Sequence, residues 1–512
     1  MKRIRIRGCY LAVLLVALPL SQAGAEDYLV VDLAGAGDPY HAAAERLAEL
    51  RRGKIVPGDP NNLRPLVDVL REARPSNVAV VVRPQDLDIN LARSFLKLAT
   101  QVDKDPFVDF AYGFITGDTP EVAVALAETG VKAEKTRRKP ELAVAAVGEK
   151  VITRSALQQQ QFPLRKKSIP QLWGQIAGGE NFPETGRDAA FIAELMPRMQ
   201  GKSLVLLAGH GYPREVVGGP TFKDFAGLNF ERAVMLNIAC YTGVTGRWFE
   251  DDHDAGVRRE RHVTDGESLC LAALRTGVAA YVGYACPRPA GPELFLDIAA
   301  LATEGVSVGE ARRRDYNRVV LAHLAQGFRA LSIDEYADGE RIRPPQNIVR
   351  DLLLDMATGG MLFGDPAFQP FEGLPGESPV EVTTTRDADR ISVTVSVGPQ
   401  HVFFECSEPL ATWGPAQLPT LRLLARVPLG QSHVADVLIK ELRLGGEIAA
   451  KRLVWAVEEH AGERLVHVKA IFPQPPPDKL LAFATAAKAV FEIVTTADPD
   501  EARTRFVQGD VP

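Results

Sequence analysis

The sequence predicts an α/β protein: two units built on parallel sheets, followed by an all-β sandwich of immunoglobulin-like size. Three observations predict it. Short apolar runs alternate with amphipathic stretches from Asp27 to about residue 140. Further apolar runs without any alternation follow between 141 and 371. After residues 372–379, rich in Gly, Pro and Ser, the texture changes to short alternating strands. The chain has 512 residues, and domains usually hold about 100–200, so several are expected.

In the first unit, residues 26–140, Tyr28–Asp32 reads as a strand and His41–Arg51 as a helix, with Ala42, Leu47 and Leu50 among its apolar positions. Leu66–Ala73 reads as a helix, 77–82 as a strand, 91–100 as a helix and 109–115 as a strand. Strands separated by helices imply parallel βαβ units. In the second unit, 141–371, the strands are 203–207, 233–238 and 278–282. Their continuous apolar character suits a sheet buried on both faces. A helix is expected over 267–276, with a capping box at Thr264 to Glu267 and Gly277 at its end. Helices are also expected over 293–303 and 308–326.

Residues 372–379 read as a linker and 380–475 as the sandwich, with 476–512 its C-terminal extension. Strands are expected over 380–384, 390–397, 402–405, 421–427, 435–442 and 465–472. Ile391 to Ser396 alternates as a half-buried strand should. About seven strands make such a sandwich, and six are placed here.

The first 25 residues read as a signal peptide. Lys2, Arg3, Arg5 and Arg7 precede an apolar stretch over 11–20, and Ala23-Gly24-Ala25 offers a small-residue cleavage site. That stretch falls short of the roughly 20 residues of a membrane span, so no stable span is expected after cleavage. The net charge of −6, without a strongly basic block, argues against a nucleic-acid partner. Four cysteines follow the signal: Cys240, Cys270, Cys286 and Cys406. Export leaves a Cys270–Cys286 bridge open. Gly35-Ala36-Gly37 invites a dinucleotide reading, but Tyr40 stands where the third glycine belongs. Asp251, Asp252, His253, Asp254 and His262 could bind a metal; a solvated acidic loop is the simpler reading.

The informative pair lies elsewhere. One apolar strand ends in His210-Gly211, and thirty residues on another ends in Ala239-Cys240. Chemistry in parallel sheets sits at the carboxyl ends of strands. If the two strands are neighbours, they deliver an imidazole and a thiol to one edge. The attacking species is thiolate, and a free thiol with a pKa of about 8.5 is only partly ionised at neutral pH. An imidazole can take its proton and later protonate the leaving amine. The backbone N–H groups of Gly211 and Cys240 could form an oxyanion hole. Either residue alone would more simply be structural; together, each at a strand end before a turn, they favour catalysis.

These strand ends resemble the caspase clan of cysteine peptidases, and within it the gingipain type. The resemblance extends to 105–118, to the helix and strand of 267–283, and to Gly364-Asp365-Pro366 after Phe363. It covers roughly residues 27–470. It implies a caspase/gingipain-like fold with the dyad in the second α/β unit, His210 as general base and acid, and Cys240 as nucleophile. It also implies an acidic residue supporting the histidine, for which Asp109 and Asp118 are candidates. The loop at Cys286 and Pro287 falls where related enzymes line the substrate cleft. Gingipains bind calcium, which leaves structural calcium open; no cofactor is required and no catalytic metal is expected. The expected function is that of an exported, periplasmic or secreted, cysteine endopeptidase acting on a protein or peptide. The alternative is an inactive caspase-like scaffold.

Overall fold

The computed structural model describes residues 27–137, 142–146, 180–181, 189–208, 210–252, 257–287, 301, 304–325, 359–373, 380–397, 422–444, 448–449, 452–460, 463–471 and 487–508. The signal peptide, the helix expected over 293–303 apart from Leu301, the strand expected over 402–405, Cys406 and most of the linker lie outside these residues.

The first unit follows the expected alternation: β1 (Tyr28–Asp32), α1 (His41–Arg51), β2 (Lys54–Pro57), α2 (Leu66–Ala73), β3 (Asn77–Val81), α3 (Ile89–Ala99), β4 (Ala111–Ile115) and α4 (Pro120–Glu134). Caps set the boundaries. The Asp88 carboxylate accepts from the N–H groups of Asn90 and Leu91, both at 2.9 Å, and starts α3. Thr119 caps α4, with Pro120 in its first turn.

The second unit contains β5 (Leu142–Ala146), β6 (Glu180–Asn181), α5 (Ala189–Arg198), β7 (Leu204–Ala208), β8 (Gly211–Tyr212), β9 (Glu215–Val216), β10 (Val234–Asn237), β11 (Arg247–Asp252), β12 (Val257–His262), α6 (Leu269–Arg275), β13 (Ala280–Tyr284), α7 (Val308–Ala325) and β14 (Gly360–Gly364). The expected capping box is displaced. Asp265 to Glu267 forms a short 3-10 turn. Ser268 starts α6 instead, its Oγ accepting from Leu271 N–H at 3.2 Å.

The two predicted units share one ten-stranded sheet, ordered β2-β1-β3-β4-β14-β13-β10-β7-β5-β6. They join where Phe363 of β14 meets Phe114 of β4. Strand β14 runs antiparallel to β13. The Gly-Asp-Pro motif secures this seam. Asp365, fully buried, accepts from the Tyr28 hydroxyl at 2.7 Å, Arg51 Nε at 2.6 Å and Ala367 N–H at 3.0 Å. Beyond the strand ends, the Thr245 hydroxyl donates to the carbonyls of Pro84 and Leu87 at 2.8 and 3.0 Å. The loop after β10 therefore packs on the loop after β3.

The sandwich has two sheets. With β15 (Val380–Asp387), β16 (Arg390–Val397), β17 (Arg422–Gly430), β18 (His433–Leu444), β19 (Ile448–Ala449), β20 (Arg452–His460), β21 (Glu463–Ile471), β22 (Ala487–Thr496) and β23 (Arg505–Gln508), their orders are β15-β16-β22-β18-β19 and β17-β21-β20-β23. Residues 476–512 are thus no mere extension. They supply β22, which lies between β16 and β18, and β23, which pairs with β20.

Helix α7 docks the sandwich. Val320, Leu321 and Leu324 pack with Phe107, Val454 and Ala456. Beside them lies a buried polar cluster. Arg313 donates to the Val108 carbonyl at 3.1 Å and to Glu458. Asn317 accepts from Val108 N–H at 2.8 Å and donates to Glu458 at 2.9 Å. His467 also bonds Glu458. Burial alone would raise both glutamates. Arg313 above all, with Arg314 and Arg426, holds Glu310 down to about 2; Arg313 and His467 hold Glu458 well below its ordinary range. A depressed carboxylate stabilises fully above its unfolded pKa, about 4.3, and loses that contribution as pH falls through the folded value. The sandwich should therefore stay docked down to about pH 4 and release between about pH 4 and 2. Small-angle scattering across that range checks this; docking lost already at pH 6 would contradict it.

Candidate active site

Strands β7 and β10 are neighbours and parallel, with Leu204 opposite Val234 and Leu207 opposite Asn237. His210 and Cys240 each lie three residues past that last pair, so register brings both to the same carboxyl edge. The pairing continues one step, Ile238 N–H donating to the Leu207 carbonyl at 2.9 Å. Gly211 then lies directly against the backbone at Cys240. A Cβ placed on it would stand 2.5 Å from the Cys240 carbonyl oxygen and 2.7 Å from Ala239 Cβ. Only glycine permits that approach. His210 is exposed and Cys240 half-buried, as acid–base and nucleophilic groups open to a substrate should be.

Several residues that the sequence did not single out hold the turn at Cys240. Asn237 is fully buried at the end of β10, and its Oδ1 accepts from Ala239 N–H at 3.2 Å. The Thr242 hydroxyl donates to the Ala239 carbonyl at 2.8 Å, and the Tyr281 hydroxyl donates to the Thr242 carbonyl at 2.7 Å. Tyr241 has φ +58°, a left-handed conformation uncommon outside glycine and costly enough to need external support. Its ring packs on Trp248 at 4.8 Å between centroids. Gly243 and Gly283 meet backbone to backbone: a Cβ on Gly243 would lie 2.7 Å from the Gly283 carbonyl carbon. Asn237 left one legible signal, a polar residue closing an otherwise apolar strand.

Neither candidate supporting carboxylate bonds His210; each has another partner. Asp109 lies before β4, its N–H bonded to the Ala99 carbonyl at the end of α3 and its Oδ2 accepting from Val102 N–H at 3.0 Å. That is the amino end of β4, not a carboxyl edge. Asp118 does follow β4 but pairs with Arg275 at 3.1 Å. Four strand spacings separate β4 from β7, about 19 Å at roughly 4.8 Å each. Among the described residues no carboxylate bonds the His210 ring.

Cys286 does border the site. It is buried, and its carbonyl accepts from Tyr241 N–H at 3.4 Å; Pro287 beside it is exposed. Cys270 and Cys286 are free thiols, so the bridge left open by the sequence is not formed. Burial pushes the Cys270 thiol up, which suits an inert core residue.

Of the suspected metal loop, His253 and Asp254 lie outside the described residues; the flanking residues form the antiparallel hairpin β11–β12, where His262 bonds Glu260 at 3.0 Å. Among the described residues the carboxylates that gather are Asp103, Asp105 and Asp109, with one oxygen of each within 4.8 Å of the others. Backbone N–H groups of Asp105, Phe107, Val102 and Glu459 already occupy several of their oxygens. Burial first, then mutual repulsion, pushes Asp105 up to about 8 and Asp109 up to about 9. The folded chain then holds protons that the unfolded chain releases above about pH 4. Folded stability should rise as pH falls from 9 toward 5. Melting temperatures of wild type and Asp109→Asn check this: the variant's pH dependence should be shallower, and an equal slope would contradict the assignment.

No family model matches the chain, and no curated protein matches it. Solved structures do. The complex of the pro- and mature domains of Porphyromonas gingivalis RgpB is similar at 10% identity and TM-score 0.41, covering 94% of this chain and 99% of that one. The Arg-specific cysteine proteinase gingipain R (RgpB) is similar at 12% identity and TM-score 0.40, covering 92% and 97%. A third structure, described as a protease, is similar at 10% identity and TM-score 0.42 over the same shares. The chain is thus similar to the gingipain type that its motifs resemble. No helix among the described residues is long and apolar enough to cross a membrane.

Proposed function

We propose that the protein is an exported cysteine endopeptidase in which Cys240 is the nucleophile and His210 the general base and acid. The observation that carries this reading is the packing of Gly211 against the Cys240 carbonyl at the ends of two in-register parallel strands. It sets the backbone beside the imidazole directly on the backbone of the thiol.

The chemistry follows from the groups. His210 takes the Cys240 proton, and the thiolate attacks the scissile carbonyl carbon. The N–H groups of Gly211 and Cys240 stabilise the developing oxyanion. The tetrahedral intermediate collapses, the C–N bond breaks, and His210 protonates the departing amine. Water, deprotonated by His210, then attacks the thioester, releasing the carboxylic acid and regenerating the thiol. Thiol, imidazole and backbone N–H supply every role, so the sequence of steps calls on no cofactor. Export is read from the positive, apolar and small-residue segments of the first 25 residues.

An irreversible thiol-directed peptidyl inhibitor tests the dyad. The adduct should be found on Cys240 by mass spectrometry and should be strongly reduced in His210→Ala. Labelling confined to Cys286, with Cys240 unreactive, would overturn the assignment.

A further inference from the structure

The hairpin β11–β12 follows the nucleophile and plays no part in the chemistry above. On an antiparallel ribbon alternate side chains share a face. One face is fastened to the molecule: Arg247 Nε bonds Asp88 at 2.7 Å, and Phe249 packs against the main core. Trp248 and Glu250 lie on the other face, with Arg261 opposite Trp248 in register. These three line a cleft of about 490 Å³ whose far wall holds Tyr212, Phe222 and Lys223. That volume is in the range of small-ligand and side-chain sites. Both walls touch the dyad's own segments. Tyr212 is two residues from His210, and Trp248 packs on Tyr241, next to Cys240.

We propose that this cleft binds the part of the peptide substrate that follows the scissile bond, taking a bulky apolar side chain from one of the first two residues there. The proposal rests on the peptidase reading. The sheet order β13-β10-β7 puts Cys240 between two flanks, with Tyr284 to Cys286 on one and His210 on the other. The acyl half of the substrate stays on Cys240. The amine half leaves with a proton from His210, so it must lie on the His210 flank. The chain beyond that amine continues over β8 and β9 into the cleft.

The preference for apolar side chains follows from how the charges are occupied. Arg261 Nε bonds Glu250 at 2.9 Å, and the Lys223 ammonium sits 5.7 Å from the centre of the Phe222 ring. Arg214 bonds Glu267 at 2.6 Å and His262 bonds Glu260 at 3.0 Å, so beside the Glu215 carboxylate the surface left for recognition is that of the rings. Tyr212 is 49% exposed, although large apolar side chains are normally withdrawn from water.

The test uses the full mature chain and a peptide library randomised on both sides of the cleaved bond, with new N-termini read by mass spectrometry. Wild type should enrich bulky apolar residues over Gly and Asp by about tenfold at one of the first two positions after the bond. Tyr212→Ala should bring that ratio toward parity. Phe222→Ala, on the same wall, should do so too and guards against a local effect of one variant. Cleavage that requires Cys240 but shows no preference after the bond, or one that both variants leave intact, overturns this proposal while sparing the peptidase reading. Absence of Cys240-dependent cleavage overturns both.

Discussion

Gly211→Ala should lower kcat/KM by about a hundredfold, the effect expected when reacting groups are displaced by about 1 Å. The added Cβ would stand 2.5 Å from the Cys240 carbonyl oxygen, 2.7 Å from Ala239 Cβ and 3.0 Å from Thr242 Cγ2. None of these neighbours is the loose end of a long side chain. The Ala239 carbonyl accepts from Thr242, and the Thr242 carbonyl accepts from Tyr281. The turn therefore resists, and β8 must move, carrying His210 away from the thiol. The cost should fall on kcat more than on KM, because relative placement of catalytic groups, not substrate binding, is disturbed. Steady-state kinetics beside a thermal melt check this. A variant with unchanged kcat and unchanged melting would show that Gly211 does not lie on the nucleophile's backbone.

Arg313→Met should destabilise the docked sandwich by about 3–5 kcal/mol, the usual cost of leaving a buried charge without its partner. Arg313 is 1% exposed and Glu458 is 1% exposed, so water cannot replace the lost guanidinium. Asn317 and His467 remain on Glu458 and Arg426 still acts on it through its charge, but neither replaces the direct Arg313 ion pair, and burial disfavours the protonated form of His467. The double variant Arg313→Met/Glu458→Gln should recover a large part of the loss, since the orphaned charge is gone. Urea unfolding followed separately in the two regions measures it. Equal stability of wild type and single variant would mean that the polar cluster contributes nothing to docking.

Much of this fold is legible in the sequence because its strands are continuous apolar runs broken by helices. The runs ending at His210 and Cys240 identify themselves; that the two strands are neighbours is a condition of the sequence reading, and the structure meets it. What was not legible depends on non-local geometry. The merging of two units into one sheet turns on the meeting of Phe114 and Phe363, which no local periodicity encodes. The sequence places Asp109 first in a strand, whereas β4 begins at Ala111. Those two residues put its carboxylate in the loop between α3 and β4. Strand β22 escapes the sequence reading because its approach over 480–488 is rich in Ala and weak in strand signal. Its place in the centre of a sheet comes from pairing with β16 and β18, both distant in sequence. Asn237, Thr242 and Tyr281 act through single hydrogen bonds in a turn, and residue type alone does not disclose that.

The pairing of Cys240 with His210 as a hydrolytic centre is tested most directly by comparing wild type and Cys240→Ala on a mixed peptide library, both purified identically. Wild type should generate new N-termini, and Cys240→Ala should generate none above the protein-free control while melting at the same temperature. Equal cleavage by the two proteins would contradict Cys240 as the nucleophile.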